Sequence, residues 1–166
     1  MRNIIAIPLI GLAVIIQSAI VSQFPLLGGT ADIVLVLITA WALQETVTTG
    51  FHWAILASVF VGIVSSLPWV VYFVGYIGIV VLALALQKRI WQVPMLAMFG
   101  VTFMATILLH LLTFIYLAFA GPSVPLTEAL GTITLPTVLL NMLIAIPIFG
   151  FMRDVAGWVF PSRGPA

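Results

Sequence analysis

The residues of this sequence that could do chemistry form a row of polar side chains inside a long apolar segment. The row consists of Thr102, Thr106, His110 and Thr113. Intervals of four, four and three residues put these side chains on one face of a helix. An imidazole within a membrane segment is a functional candidate, for moving a proton or binding a ligand. The alternative is that neutral His110 hydrogen-bonds a neighbouring helix, while the threonine hydroxyls bond back to their own helix.

A second polar set lies in the last apolar segment, as Thr134, Thr137, Asn141 and Ala145. Asn141 falls near the middle of that segment, where an unpaired amide costs several kcal/mol. Asn141 therefore needs a hydrogen-bond partner, and His110 is a reasonable candidate. The two sets together predict an intramembrane polar network or a pocket lining. Its candidate residues are Thr102, Thr106, His110, Thr113, Thr137 and Asn141.

Motifs for covalent or metal-assisted catalysis are missing from the sequence. It has no cysteine, no His-Glu-x-x-His, no Gly-x-Ser-x-Gly and no phosphate-binding Gly-Lys motif. Paired acids deep in an apolar segment are missing as well. We therefore expect a protein that is not an enzyme and that holds no cofactor or metal.

The composition indicates a protein covered by lipid. Of the 166 residues, 64% are hydrophobic and only 5% are charged, whereas soluble domains carry about 25% charged residues. A soluble fold of this size could not hide so much apolar surface. The net charge of +1 is too small to favour nucleic acid as a partner. The sequence predicts a single all-α integral membrane domain with lipid around it.

Six apolar segments are long or apolar enough to be read as transmembrane helices. They cover about 4–21, 33–47, 50–66, 70–86, 94–119 and 133–152. Crossing about 30 Å of hydrocarbon takes about 20 helical residues, so the second segment is short for a span. Omitting it, however, would break the agreement with the distribution of positive charge.

The positive charges predict the orientation. The basic residues are Arg2, Lys88, Arg89, Arg153 and Arg163. Four apolar segments separate the first of them from Lys88, and two more separate Arg89 from Arg153. Lys and Arg in short loops stay on the cytoplasmic side. Even numbers of segments in both intervals predict six spans with both termini cytoplasmic.

The third segment carries a ladder of small residues at every fourth position: Gly50, Ala54, Ser58, Gly62 and Ser66. Small side chains on one face let helix backbones approach closely in lipid. The ladder is interpreted as a packing face for another helix of this chain or, alternatively, as a docking face for a partner helix.

Two acids flank the second segment. Asp32 stands at its start, where a carboxylate can cap a helix N-terminus or contact a partner protein. Glu45 stands near its end, within reach of a pairing with Lys88 or Arg89. A solvated pair of that kind contributes little stability.

Two stretches together resemble MreD, the rod shape-determining membrane protein of bacteria. The first is residues 28–37, Gly-Gly-Thr-Ala-Asp-Ile-Val-Leu-Val-Leu, followed by Ala-Trp-Ala-Leu at 40–43. The second is residues 135–147, Leu-Pro-Thr-Val-Leu-Leu-Asn-Met-Leu-Ile-Ala-Ile-Pro, with Arg153 beyond it. The small-residue third segment, the length and the short loops are also similar to the family. Two positions depart from its pattern: Ala31 stands where proline is usual, and the outer end of the third segment has serines where an acid is frequent.

The resemblance implies a non-catalytic subunit of the cell-wall elongation complex in the bacterial plasma membrane. It implies binding to MreC, a single-span protein, and through it to RodA, penicillin-binding protein 2 and MreB. It also implies a six-helix arrangement like that of the substrate-binding subunits of energy-coupling-factor vitamin transporters. The alternative function is therefore a small-molecule-binding subunit of such a transporter, with an outward pocket that the Thr, His and Asn stripes could line.

The predicted topology can be tested with single cysteines, because the chain has none of its own. Cysteines at Ser22 and Ser123 should react with an impermeant thiol reagent added outside the cell. Cysteines at Gln87 and Ser162 should react only after the membrane is opened. External labelling at Gln87 would contradict the six-span arrangement.

Overall fold

The structure, a computed structural model, describes residues 4–26, 28–87, 93–120 and 130–160. Within these ranges its regular elements are helical. The α-helices are α1 (Ala6–Ala19), α2 (Ile33–Ala42), α3 (Gly50–Val64), α4 (Trp69–Gln87), α5 (Pro94–Ala120) and α6 (Leu135–Val159). A 3-10 turn, Val21–Gln23, follows α1, and a π-helical turn, Leu130–Thr134, precedes α6.

Four helical stretches in the described part are long and apolar enough to cross a membrane. They are α1 with its 3-10 turn, α4, α5, and α6 with its π-helical turn. This supports an all-α membrane protein. The shorter apolar helices are α2 and α3. The second predicted span is longer than its helix: α2 has 10 residues and ends at Ala42, not at 47. At about 1.5 Å per residue it measures roughly 15 Å, half of the hydrocarbon thickness.

α2 ends early because its last turn closes on itself. The Leu43 N–H donates to the Thr39 carbonyl, and the Gln44 N–H donates to the Trp41 carbonyl. The Gln44 side chain folds back and donates to the Ala40 carbonyl at 3.0 Å. The last two bonds occupy the Trp41 and Ala40 carbonyls, to which the N–H groups of Glu45 and Gln44 would donate in a continuing helix.

The short helix α2 forms the centre of the bundle. All its residues from Val34 to Ala42 are buried, and it contacts each of the other five helices. A helix that is apolar on every side is stable only where protein surrounds it. Trp41 in α2 stacks on Trp53 in α3, with ring centroids 4.2 Å apart. Its indole N–H donates to the Thr49 hydroxyl at 3.1 Å.

The helices alternate in direction between two ends of the bundle. At the Asp32 end, Ser22 after α1, Asp32 before α2 and Ser65 after α3 surround one cavity. At the Arg153 end, the loop after α2 lies beside the start of α5 and the last turns of α6. Gln87, the last residue of α4, donates to the Leu43 carbonyl at this same end, at 3.4 Å.

Arg153 is the one basic residue of the sequence that falls in the described ranges. Arg2, Lys88, Arg89 and Arg163 lie outside them, and so does the predicted pairing of Glu45 with Lys88 or Arg89. The described residue next to Lys88 is Gln87, which lies at the Arg153 end. The alternation of helices is thus compatible with basic residues gathered on one side.

The small-residue ladder of α3 is largely used inside this chain. Ala54 and Ser58 are fully buried. A Cβ added to Gly50 would lie 3.2 Å from Val80 in α4, and one added to Gly62 would lie 2.6 Å from the Cβ of Trp69. Ser66, past the end of α3, is exposed and lines the cavity at the Asp32 end. The ladder therefore packs mainly against α4 and α2.

Substituting Gly62 tests this packing. Gly62→Ala should lower the free energy of unfolding by about 1–3 kcal/mol, because the added methyl overlaps the start of α4. Gly100→Ala in α5 is the matched control, because its Cβ would meet nothing within 4 Å. The control should be neutral or gain up to about 1 kcal/mol from helix propensity. The midpoints of thermal unfolding in detergent would be compared, and equal midpoints would contradict the packing.

Candidate functional site

Asp32 lies where the chain enters the central helix. It is the N-cap of α2, and its Oδ1 accepts a hydrogen bond from the Leu35 N–H at 2.9 Å. One of the two roles considered from sequence, helix capping, is therefore present. A capping acid also suits the positive end of the helix dipole.

Gln17 in α1 holds the segment before α2 in place. Its Nε2 donates to the Ala31 carbonyl at 2.7 Å, and its Oε1 accepts from the Ile33 N–H at 2.8 Å. Both ends of the amide are thus satisfied by backbone. A role for Gln17 was not predicted from the sequence. The available signal was a lone amide side chain inside an otherwise apolar span, where a polar group needs a partner.

Asn141 joins three elements and is completely buried. Its Oδ1 accepts from the Asp32 N–H at 2.6 Å, and its Nδ2 donates to the Thr106 hydroxyl at 3.0 Å. The Thr106 hydroxyl in turn donates to the Thr102 carbonyl at 2.8 Å. We call the Asp32, Thr106 and Asn141 cluster the Asn141 joint. It connects the start of α2 with the buried faces of α5 and α6.

His110 is not part of this joint, so the expected His110–Asn141 pair is wrong. His110 Nδ1 shares a hydrogen bond with the Thr134 hydroxyl, with 2.9 Å between the two atoms. α5 and α6 run antiparallel. Thr134, which directly precedes α6, therefore meets His110, and Asn141, which lies inside α6, meets Thr106, one turn earlier in α5 than His110. The sequence indicates the polar faces of the two helices but not their relative register.

The other predicted network residues are dispersed. The Thr113 hydroxyl donates to the Leu109 carbonyl of its own helix at 2.9 Å. Thr102 is buried, and its hydroxyl has no hydrogen-bond partner among the described residues. Thr137 is buried against the chain before α2, where a Cβ added to Gly29 would lie 2.8 Å from the Thr137 Oγ1. His110, which bonds a residue beside α6, and Thr106 and Thr113, which bond back to their own helix, therefore follow the second interpretation of the row.

Glycine is required where the chain turns towards α2. Gly28 has φ of +90°, a backbone region that disfavours L side chains. A Cβ there would also lie 2.6 Å from the Thr132 carbonyl oxygen. The Gly-Gly pair lets this segment lie directly against the start of α6, which brings Asp32 to Asn141.

A cavity of about 510 Å³ opens at the Asp32 end between α1, α3 and α4. We call it the Asp32 cavity. Its polar lining includes Ser18, Asp32, Ser65, Ser66, Tyr72 and Tyr76. The hydroxyls of Ser65 and Tyr72 share a hydrogen bond of 2.7 Å. Tyr76 is fully buried, and its hydroxyl has no partner in the described ranges. The Thr, His and Asn stripes do not line this cavity, contrary to what a pocket built on them would require.

A second cleft, of about 700 Å³, lies at the Arg153 end between the loop after α2 and α5 and α6. Its lining includes Glu45 and Arg153 above an apolar surface that contains Phe149. Arg153 Nε lies 3.6 Å from Asp154 Oδ1, and both side chains are exposed. An exposed pair of this kind contributes little to stability.

Among residues 4–26, 28–87, 93–120 and 130–160, no group of three or more His, Asp or Glu side chains could hold a metal ion. Comparisons of the chain with protein-family models, with curated proteins and with solved structures found no match.

Replacing Asn141 should cost more than replacing His110. Asn141→Leu should lower the free energy of unfolding by about 1–3 kcal/mol, because it leaves the Asp32 N–H without its acceptor. His110→Leu removes a single side-chain bond, and such bonds in membranes average about 0.6 kcal/mol. Denaturant unfolding in mixed micelles measures both changes.

The control for these variants is Leu139→Ala, on a part of α6 where the side chain is 67% exposed. It should change stability less than Asn141→Leu does. If His110→Leu were as destabilising as Asn141→Leu, the Asn141 joint would not be the main polar contact between these helices.

Proposed function

We propose that this chain is a non-catalytic membrane subunit of the bacterial cell-wall elongation complex, similar in role to MreD. In this proposal it lies in the plasma membrane with six spans and both termini in the cytoplasm. The distribution of basic residues supports this orientation, as does the alternation of helices between the Asp32 end and the Arg153 end. The Asp32 end then faces outward.

One observation carries the proposal. The two stretches that resemble the family, 28–37 and 135–147, are far apart in sequence and meet in the fold. Their contact is the 2.6 Å hydrogen bond from the Asp32 N–H to Asn141 Oδ1. The start of the second segment and an asparagine within the last one thus form one structural unit, joined through the main-chain N–H of Asp32. A resemblance confined to unrelated apolar runs would give no reason for these two stretches to meet.

The proposed partner is an MreC-like single-span protein, with RodA, penicillin-binding protein 2 and MreB reached through the complex. Much of the outward surface of α5 and α6 is apolar, including Leu111, Leu139 and Leu143, each at least half exposed. Such a surface suits lipid or a membrane helix of a partner. The ladder of α3 is less suited to this role, because Gly62 already packs against Trp69.

The Asp32 cavity favours a second candidate function, the small-molecule-binding subunit of an energy-coupling-factor vitamin transporter. Its volume of about 510 Å³ falls in the range of small-molecule sites, about 300–1,000 Å³. In the proposed orientation it opens outward, as a substrate site for import must. The residues that line it differ from the Thr, His and Asn stripes, so this candidate now depends on α1, α3 and α4.

Co-purification separates the two candidates. A tagged chain extracted gently from its native membranes should bring down an MreC-like single-span protein. Depletion of the chain in a rod-shaped host that carries the gene should turn rods into spheres or stop growth. Recovery of a transporter ATPase module, with unchanged cell shape on depletion, would overturn the elongation-complex proposal in favour of the importer.

Expressing variants of the chain in depleted cells tests whether rod shape depends on the packing of this bundle. Gly100→Ala, which adds a methyl group in open space, should restore rod shape as well as the unaltered chain does. Gly62→Leu should fail, because the larger side chain forces the start of α4 away from α3. Equal rescue by both variants would mean that cell shape does not depend on the packing of α3 against α4.

A further inference from the structure

The Asp32 cavity contains a carboxylate whose charge is not balanced by the described part of the protein. Asp32 lines the cavity and keeps part of its surface accessible there. In the described ranges the only ion pair joins Arg153 and Asp154, at the other end of the bundle. A desolvated carboxylate without a counter-charge is costly, and either a proton or a cation that enters from outside relieves that cost.

Asp32 also keeps hydrogen-bonding capacity. A carboxylate offers about four acceptor positions. The Leu35 N–H occupies one of them, on Oδ1. The capping role and a ligand can therefore share the side chain, with the cap fixing the carboxylate and the cavity giving access to it.

Two tyrosines supply the second feature of the site. Tyr76 is 0% exposed, lines the cavity and has a hydroxyl without a hydrogen-bond partner among the described residues. Tyr72 lies beside it, with ring centroids 5.9 Å apart, and its hydroxyl bonds Ser65 at 2.7 Å. Buried hydroxyls normally have partners. A phenol offers both a hydroxyl acceptor and a ring face that attracts cations.

We propose that the Asp32 cavity binds an organic ammonium group, which pairs with the Asp32 carboxylate beside Tyr72 and Tyr76. The rest of the ligand would lie against Val61 and Val64, which form part of the apolar lining. At about 510 Å³ the cavity is far larger than a bare metal cation needs. The ammonium group comes from a soluble amine or from an ethanolamine lipid headgroup. The inference concerns this cavity alone and does not depend on which complex the chain joins.

Thiol labelling tests the charge preference of the cavity without background, because the chain has no cysteine. Ser66→Cys places a thiol at the cavity, and Gln23→Cys places one on the exposed surface nearby. Each protein, in phosphatidylglycerol nanodiscs, is treated with a cationic trimethylammonium methanethiosulfonate or with an anionic sulfonate analogue. The cation-to-anion rate ratio should be about tenfold higher at Ser66→Cys than at Gln23→Cys, through the Coulomb attraction of Asp32.

Adding Asp32→Asn should bring the ratio at Ser66→Cys down to that of the surface control. Asparagine caps helices about as well as aspartate, so the fold should persist, and an unchanged thermal midpoint would establish that it does. Ser66→Cys with Gly100→Ala is the matched double variant and should keep the high ratio. A ratio that does not change with Asp32→Asn in a folded protein would overturn the proposal.

Protection of Ser66→Cys distinguishes the two sources of the ammonium group. If a soluble amine binds, 2-phenylethylamine should slow labelling in phosphatidylglycerol nanodiscs, while the neutral 2-phenylethanol should not. If a lipid headgroup binds, labelling should already be slow in phosphatidylethanolamine nanodiscs with no amine added. Both effects should disappear with Asp32→Asn. Labelling at the same rate under all these conditions would also overturn the proposal.

Discussion

The first turn of α2 begins within the bundle, and the need to satisfy its backbone N–H groups organises the structure. The first N–H groups of a helix have no partner within the helix, and in an apolar setting each one left unpaired is costly. Here side-chain oxygens from three parts of the chain accept them. Asn141 binds the Asp32 N–H, Gln17 binds the Ile33 N–H, and Asp32 binds the Leu35 N–H. Each acceptor belongs to a different element, so satisfying one short helix also fixes α1 and α6 around it.

A central half-length helix explains the packing of the rest. Because α2 is buried along its whole length from Val34 to Ala42, each neighbouring helix packs against an apolar face of α2. α3, itself short, approaches α2 closely through Gly50, whose added Cβ would lie 3.6 Å from Ala42. The longer helices α4, α5 and α6 extend past both, and together with α1 and α3 they carry the exposed apolar side chains. A membrane protein can hold a helix shorter than the hydrocarbon thickness only when other helices enclose it.

The long helices are well predicted from the sequence, because the length of a continuous apolar segment can be counted directly. The fourth and fifth predicted segments, 70–86 and 94–119, nearly coincide with Trp69–Gln87 and Pro94–Ala120. The sixth was expected to end at 152, but α6 continues to Val159. Charged residues mark where hydrocarbon is unfavourable, yet they do not interrupt backbone hydrogen bonding, so Arg153 and Asp154 remain helical.

Two features could not be predicted from the sequence: the residue at which α2 ends, and the hydrogen-bond partners of the polar residues around it. Apolar residues continue past Ala42, and the helix ends because the Gln44 side chain bonds the Ala40 carbonyl. Likewise, Asn141 required a hydrogen-bond partner, but the relative register of α5 and α6 determines that this partner is Thr106. The Asp32 cavity depends on three helices converging at one end. Hydropathy constrains the depth of a residue in a membrane and leaves its lateral neighbours undetermined.

Asp32 links the stability of the fold to the occupancy of the cavity. The same residue caps α2, donates its N–H to Asn141 and lines the cavity. A ligand that pairs with the carboxylate only in the folded state stabilises that state by mass action. It would also hold the carboxylate in its capping position, so binding at the Asp32 end would tighten the joint between α2, α5 and α6. In the proposed complex the Asn141 joint would then connect an occupied cavity at one end of the bundle with α5 and α6, whose exposed apolar side chains include Leu111, Leu139 and Leu143.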